Sequence, residues 1–568
     1  MSTQKTLTFH ATGGDLAIST IQDWHITVSD DATASERYAA EEFQNWFNQS
    51  AGLTLRLVTA QDNANADSGQ IAIGALTTLG DEDIQITVES GRVQIQGGLP
   101  RGVLYAVYQF LEELVGIRFL TADHTHIPDA SALQIPCGSY TYSPPFSFRW
   151  SYYRENSDVP AFAAKRKVNT VTDAENLGGK TQQQLINHSF HALVPYSTYG
   201  ESHPEYYALV DGKRDTNTHG GGPQLCVTNP DVIEVAAASA IQQLMDRPEA
   251  TNISVSQADT AAYCRCEVCE TLNEAEGTPM GSQLTFVNAV AERIEKVHPH
   301  VKVGTLAYWY TRKPPKTLTP RHNVQIQLCS IECCTLHAID NPDCEQNQAF
   351  CQDTNEWGKI CDDIWIWNYN TNFRAYDLPF PNLRSIAPNV RYFLNNNAKG
   401  VFMQANGNGL TGEFSDLRNY LISHLIWNPH LDAETLLNEF VNLHYETAAP
   451  VILEYITFLH DNVEAKGLHP RCFPTPEDVG LDAESSQTIF DYFQRALALA
   501  DKPEIQARVE KASIAAYKAM LVAGGDTEPQ KRRVVLIDEY IALCERYNMS
   551  HAAETQAAEA YFEELRNQ

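Results

Sequence analysis

The sequence has no run of about 18 consecutive apolar residues, the length that a membrane-spanning helix needs. Its start, MSTQKTLTFHATGGD, lacks the apolar core of a secretory signal peptide. We therefore expect a cytoplasmic protein, or one from which a leader has been removed. Basic residues are also scarce: 41 Lys and Arg stand against 71 Asp and Glu, and the formal net charge is −30. Such a chain is repelled by nucleic acid and by anionic lipid, so we expect neither as a partner.

Several catalytic motifs are missing as well. We find no G-x-S-x-G, P-loop or H-E-x-x-H motif, which argues against an esterase, a phosphotransferase and a zinc protease of those types. Cysteine is absent from the first 136 residues, yet ten of the 13 cysteines lie between Cys226 and Cys361. An odd number cannot pair completely within the chain, and small disulfide-stapled domains would spread them more evenly. We favour buried free thiols in a reducing compartment.

One cysteine cluster leaves alternatives open. The stretch ISVSQADTAAYCRCEVCE contains Cys264, Cys266 and Cys269, and Cys333 is a candidate fourth thiolate of a closed zinc site. The usual signal is two separated C-x2-C pairs, and only one such pair is present here. We therefore expect no required cofactor and do not favour structural zinc, while zinc and disulfides remain open.

The spacing of apolar residues divides the chain into three segments, which predicts a multidomain α/β protein. Residues 1–140 alternate short apolar strands with two amphipathic helices, as in a small α+β domain. The second helix, in RGVLYAVYQFLEELVG, is predicted to end at Gly116. Residues 431–568 show helical spacing and few strands, which predicts a helical C-terminal region.

The middle segment, residues 145–430, alternates short apolar runs with longer helical stretches. That pattern predicts a (β/α)8 barrel. The eight strand candidates are FSFRWSYY, LINHSFHALV, QLCVTN, NISVSQ, VKVGTLAYW, NVQIQLCSI, DDIWIWNY and GVFMQA.

Carboxylates follow several of these strands, where a barrel enzyme places its catalytic groups. Asp259 follows NISVSQ, and Glu332 lies in the apolar run LCSIECC, where an unpaired carboxylate is costly unless it faces a polar cleft. Glycoside hydrolysis needs one protonated and one ionised carboxyl group, so we take these two as the candidate pair and keep Glu413 in reserve. The structural alternative is that each is a helix cap or a surface charge.

Aromatic and amide side chains occur at the same strand ends, and this combination suits a sugar. The candidate lining residues are Tyr308, Tyr310, Trp367, Asn370 and Gln404. Three basic or titratable residues, Arg149, His188 and His191, are candidates for contacting a polar or acidic substituent, and an arginine would suit a uronic acid. The competing interpretation is that the aromatic residues and histidines simply pack in the core.

These stretches resemble known families. GGLPRGVLYAVYQFLEELVGIRFLTAD is similar to the small domain that precedes the barrel in family-67 α-glucuronidases and family-20 hexosaminidases. HSFHALVP, QLCVTNPDV, ISVSQAD with CRCEVC, SIECC and WIWNYNTNF resemble the bacterial family called domain of unknown function 4838, usually described as candidate glycoside hydrolases. The resemblance implies a small α+β domain, a barrel and a helical C-terminal region. It also implies an acid after the fourth strand, here Asp259, without the adjacent Asp-Glu pair of family-20 enzymes.

Taken together, these features predict a hydrolase of an O-glycosidic bond, acting on a carbohydrate that contains a uronic acid or an amino sugar. One alternative is a glycan-binding protein without catalysis. Another is a metal-dependent hydrolase that uses the cysteine or histidine clusters. The sugar, the stereochemical outcome and the oligomeric state stay open at this stage.

Overall fold

The computed structural model of the chain describes residues 8–59, 61, 69–217, 219–523 and 530–567. Residues 1–7, which belong to the stretch used above for the expectation about a leader, lie outside this part. Within it, no helix is both long and apolar enough to cross a bilayer.

The strands, numbered in chain order, are β1 Thr8–Ala17, β2 His25–Val28, β3 Arg56–Thr59, β4 Gln70–Ala75, β5 Ile84–Glu89, β6 Arg92–Gly97, β7 Arg118–Thr121, β8 His124–His126, β9 Gln134–Tyr142, β10 Phe148–Tyr152, β11 Leu209–Val210, β12 Lys213–Arg214, β13 Asn252–Ser254, β14 Lys302–Ala307, β15 Val324–Cys329, β16 Ile364–Tyr369, β17 Ala398–Gln404, β18 His551–Ala553 and β19 Gln556–Ala557.

The α-helices, numbered likewise, are α1 Ala34–Ala51, α2 Gly102–Phe110, α3 Arg154–Asp158, α4 Pro160–Lys165, α5 Phe190–Leu193, α6 Tyr196–Tyr199, α7 Pro230–Asp246, α8 Glu267–Glu276, α9 Met280–Glu295, α10 Glu345–Trp357, α11 Leu383–Asn395, α12 Ser415–Trp427, α13 Ala433–Tyr445, α14 Ala449–Ala465, α15 Ala483–Leu499, α16 Pro503–Ala523, α17 Gln530–Arg546 and α18 Ala558–Arg566.

The N-terminal part is a seven-stranded mixed sheet with the order β1-β9-β5-β6-β4-β2-β3. Its strands alternate buried and partly buried residues, as in β5 and β6, because one face packs against α1 and α2. Helix α1 begins with a capping box at Thr33, and α2 continues through a π-helical turn at Leu111–Val115. Gly116 then ends the helix with φ +90°, as the sequence predicts, since glycine adopts this conformation without steric cost.

The middle part is a curled six-stranded parallel sheet with the order β10-β17-β16-β15-β14-β13. Its strands are buried almost throughout, and β15 has no exposed residue, because helices such as α9, α11 and α12 cover the outside while side chains fill the inside. The sequence predicts eight strands here, and six of the eight are observed.

The two missing strands fall between β10 and β13, where the sheet does not close. LINHSFHALV forms an irregular segment ending in α5, and QLCVTN contributes only an isolated bridge between Tyr207 and Leu225. The gap is bridged by single hydrogen bonds, such as Ser189 N–H to the Ser256 carbonyl, 3.2 Å, and Gln184 N–H to Asn252 Oδ1, 2.6 Å. The prediction of a complete eight-stranded barrel is therefore wrong in the described residues, and the sheet is a curled, open one.

After β17 the chain is helical from α12 to α18, interrupted by the short antiparallel pair β18–β19. This hairpin returns to the parallel sheet: Tyr376 N–H donates to the Ala552 carbonyl, 2.9 Å, and Glu554 N–H donates to the Phe373 carbonyl, 3.0 Å. The turn between β18 and β19 is thereby held over the carboxyl ends of the parallel strands.

Candidate active site

A cavity of about 400 Å³ opens at the carboxyl ends of the parallel strands. Volumes of about 300–1,000 Å³ are usual for small-molecule sites. Its lining residues are His188, Asp259, Leu306, Tyr308, Trp309, Cys329, Ile331, Trp367, Tyr369, Phe373, Gln404, Phe473 and Glu554. Strands β13 to β17 all contribute at or just beyond their ends, which is where barrel enzymes carry their chemistry.

Asp259 follows β13 and is about half exposed, with 48% of its side chain accessible. Its backbone N–H donates to the Gly220 carbonyl at 2.6 Å, which fixes the loop. Tyr308 Oη donates to Asp259 Oδ1 at 3.0 Å, and His188 Nε2 lies 3.8 Å from the same oxygen. His188 Nδ1 donates to the Gln257 carbonyl, 2.6 Å, so the ring is oriented with Nε2 towards the carboxylate.

Tyr308 keeps its proton. Burial, and then the negative charge of Asp259, raises the pKa of Tyr308 well above its usual value. The phenol therefore acts as a hydrogen-bond donor to Asp259, whose side chain also lines the cavity.

A second carboxyl group, Glu554, faces the same cavity from the turn between β18 and β19. Burial raises the pKa of Glu554 above its usual value, the charge of Asp259 raises it further, and the hydrogen bond from Gln404 opposes both. Gln404 Nε2 donates to Glu554 Oε1 at 3.2 Å, while Trp367 Nε1 donates to Gln404 Oε1 at 2.7 Å. This chain of contacts fixes the position of Glu554.

Two large aromatic side chains stand exposed at the mouth of the cavity. Trp309 and Phe473 are each 41% exposed, and Trp309 stacks on Tyr308 with ring centroids 5.1 Å apart. Trp309 has φ +51°, a left-handed conformation that is strained for a bulky residue. Such strain is typical of functional sites, since the surrounding structure must hold the residue in place.

A neighbouring cavity of about 400 Å³ shares Trp309, Ile331 and Phe473 with the first and also contains Glu332. Glu332 forms an ion pair with Arg312, which also binds Asp353 with Nε–Oδ2 2.7 Å. The two cavities therefore adjoin each other, and the aromatic residues Trp309 and Phe473 line both.

The residues predicted from the sequence separate into two groups. The structure brings Asp259, His188, Tyr308, Trp367 and Gln404 together in the cavity, and it places Glu332 in the neighbouring one. The other predicted residues lie elsewhere.

Three of these residues do not line the cavity, because their side chains contact other residues instead. Glu413 is buried, paired with Arg418 at 2.5 Å and hydrogen-bonded by Tyr455. Asn370 is buried beneath the cavity against the carbonyls of Asn368 and Gln404, and Tyr310 stacks on Tyr263 at 4.7 Å.

The predicted sites for an acidic substituent also fall outside the cavity. Arg149 is fully buried between the two sheets, where its Nη1 lies 2.6 Å from Glu82 Oε2 and its guanidinium lies over Trp427. His191 lies on the surface beside the Gly221–Gly222 turn. Its neighbour in the motif, His188, is therefore the histidine of the cavity.

Glu554, Phe373 and Phe473 also line the cavity and were not predicted as site residues. Glu554 lies 150 residues beyond its partner Gln404, in a C-terminal region that the sequence predicts as helical. No local pattern in HAAETQ marks it as functional.

The cysteines of the CRCEVC motif lie beside this site and not in it. Cys264, Cys266 and Cys269 cluster with Cys226, and the expected fourth residue, Cys333, is buried elsewhere. All 13 cysteines lie in the described residues, and none of them forms a disulfide.

Comparison with known proteins gives weak likenesses among solved structures. The chain is similar to a chitobiase of Flavobacterium johnsoniae with 13% identity and TM-score 0.46, over 99% of this chain and 97% of that one. It is also similar to a β-N-acetylhexosaminidase of Streptomyces coelicolor A3(2), with 12% identity and TM-score 0.42, over 77% of this chain and 94% of that one.

No curated protein matches the chain. The family model described as "Domain of unknown function (DUF4838)" matches residues 119–457, which is more than half of the chain and includes β10 to β17. The chain belongs to this family.

Proposed function

We propose that the protein hydrolyses an O-glycosidic bond, with Asp259 and Glu554 as its two carboxyl groups. The observation that carries this proposal is their shared cavity, in which the environment separates their roles. Burial and the charge of Asp259 raise the pKa of Glu554, which is the direction that a general acid requires. Asp259 accepts a hydrogen bond from Tyr308, as an ionised carboxylate does.

The rest of the cavity suits a sugar ring. The faces of Trp309 and Phe473 can cover the apolar C–H side of the ring, while Gln404 and His188 offer polar atoms to its hydroxyl groups. The neighbouring cavity with Glu332 adjoins the first and shares its aromatic lining, which supports a substrate of more than one sugar unit.

In this mechanism Glu554 gives its proton to the leaving oxygen as the glycosidic bond breaks. Asp259 either attacks the sugar carbon or takes a proton from the attacking water. Carboxyl groups about 5–5.5 Å apart give retention and those about 6.5–9.5 Å apart give inversion, so the stereochemical outcome follows from their separation in the substrate complex.

Turnover on a panel of aryl glycosides and acidic oligosaccharides tests the proposal, with Asp259→Asn and Glu554→Gln compared at equal folding. On the oligosaccharides and on aryl glycosides with poor leaving groups, each variant should lose about 10²–10⁴-fold in kcat, the usual contribution of such groups. Glu332→Gln is the matched control and should lose less than about 10-fold, since its partner Arg312 keeps it in the neighbouring cavity.

Two results would contradict the proposal. A loss in Glu332→Gln as large as in Glu554→Gln would move the acid to Glu332. Glycan binding by a folded protein that turns over no member of the panel would favour a glycan-binding protein.

A further inference from the structure

We propose that Cys226, Cys264, Cys266 and Cys269 bind one Zn²⁺ as a closed structural site. Their four sulfur atoms all lie within 4.8 Å of one another. Three of the four residues are at most 6% exposed, and Cys266 is half-buried. Four thiolates around one point are the ligand set of a structural zinc site.

The distances favour a shared metal over a disulfide. Cys226 Sγ lies 3.7 Å from Cys266 Sγ. Two sulfurs bound tetrahedrally to zinc at about 2.3 Å lie about 3.8 Å apart, whereas a disulfide requires about 2.05 Å.

The surroundings also suit a buried cluster of thiolates. The backbone N–H of Leu209 donates to Cys264 Sγ at 3.3 Å, and Thr228 Oγ1 lies 3.2 Å from Cys269 Sγ. Cys266 is the N-cap of α8 and Cys269 lies in its first turn, where free N–H groups favour negative charge. These donors orient the ligands, as outer contacts do at known metal sites.

The metal would join two segments that are distant in sequence. Cys226 lies between β12 and α7, and the other three thiols follow the loop that carries Asp259. Gln224 Nε2 already donates to the Ala258 carbonyl at 2.8 Å, so zinc would fix the same junction. The site lies outside the cavity and has no open ligand position, so its role is structural and does not depend on the proposed hydrolase activity.

A second group of candidate ligands also comes together, with two buried cysteines, a half-buried histidine and an exposed histidine. Cys334, His337, Cys344 and His469 place one ligand atom each within 4.8 Å of the others. Cys334 Sγ lies 3.3 Å from His337 Nδ1, and Cys344 Sγ lies 3.3 Å from His469 Nδ1. A tetrahedral Cys₂His₂ zinc site requires sulfur–nitrogen distances of about 3.5 Å. We infer a second zinc ion here, which would join the Glu332 loop to the segment that carries Phe473.

Zinc content of the full chain, purified with reductant and without chelator, tests both sites. We expect two zinc ions per chain. Cys269→Ser and His337→Ala should each lose one, and the double variant should lose both. Cys361→Ser is the matched control, because Cys361 is a buried thiol outside both groups, and it should keep two.

A measurement on the unmodified chain covers the case in which a variant does not fold. Co²⁺ exchanged for zinc should give the intense sulfur-to-metal absorption of a tetrahedral thiolate site, and Zn²⁺ should displace it. Absence of stoichiometric zinc, with no uptake of added Zn²⁺ or Co²⁺, would overturn both sites. Disulfides between these cysteines under reducing purification, or iron in place of zinc, would overturn the thiolate site as stated.

Discussion

The side chains of Glu554 and Asp259 differ in their burial and in their hydrogen-bond partners. Glu554 is half-buried and its carboxyl group accepts a hydrogen bond from Gln404. Asp259 is about half exposed and is flanked by the Tyr308 phenol and the His188 ring. A pair of carboxyl groups with such unequal surroundings is what acid–base chemistry at one bond requires.

The raised pKa of Glu554 predicts the alkaline limb of the pH profile. The proton that Glu554 gives must be present, so kcat/KM should be maintained below its raised pKa and should fall as the pH rises through it. Glu554→Gln should abolish this limb in the residual activity, while Glu332→Gln should keep it. An unchanged alkaline limb in Glu554→Gln would assign that limb to another group.

The local sequence pattern predicts some of the residues that line the cavity but not others. Asp259, Tyr308, Trp367 and Gln404 follow or end predicted strands, and parallel strands present their carboxyl ends at one edge. Glu554 could not be predicted, because only the packing of the C-terminal hairpin brings it there. Arg149 is a strand residue as well, but its side chain points into the contact between the sheets and meets Glu82.

At the scale of elements, the β18–β19 hairpin is the part that completes the site. Besides its backbone contacts to Phe373 and Tyr376, it is held by Asn408, whose Nδ2 donates to the Glu554 carbonyl at 3.2 Å. Ser550 Oγ donates in turn to the Asn408 carbonyl, 2.6 Å. The position of Glu554 therefore depends on the loop that follows β17.

Asn408→Ala should loosen the hairpin and lower kcat by about 10- to 100-fold, because small displacements of a catalytic group are costly. The melting temperature should change little, since few contacts are lost. Asn442→Ala, which removes a comparable side-chain bond on the exposed face of α13, is the control and should leave kcat unchanged. Equal kcat in both variants would mean that the hairpin does not position Glu554.

The six strands of the parallel sheet were predicted from the sequence because each is a run of apolar residues that is buried on both faces of the sheet. The two that were not observed, LINHSFHALV and QLCVTN, lie where the sheet is open. Their residues make hydrogen bonds through side chains and single backbone groups. Periodicity cannot separate such irregular segments from edge strands, because their apolar residues are buried all the same.

At the scale of the whole molecule, buried charges join the N-terminal sheet to the parallel sheet. Glu82, in the turn before β5, binds Arg149 on β10 at 2.6 Å and Arg101 at 2.7 Å. Asn169 Nδ2 also donates to Glu82, 2.8 Å. Burial alone would raise the pKa of Glu82, but the charges of Arg149 and Arg101 outweigh it and lower the pKa below its usual value.

Glu82→Gln should lower the free energy of unfolding by about 3–5 kcal/mol, because it leaves a buried arginine unpaired. Since the folded pKa of Glu82 is lowered, its contribution is present above the unfolded value of about 4.3 and is lost as the pH falls through the folded pKa. Denaturant melts of wild type and variant should therefore converge in acid. Glu89→Gln, on the exposed end of β5, is the control.

The most direct test of the central claim is a leaving-group series, in which kcat/KM is measured for aryl glycosides of one sugar with phenols of increasing acidity. A general acid matters most when the departing oxygen is basic. We predict that Glu554→Gln loses about 10³-fold or more on poor leaving groups and far less on the most acidic phenols, whereas Asp259→Asn loses activity on all of them. An equal loss across the series in Glu554→Gln would contradict its role as the acid.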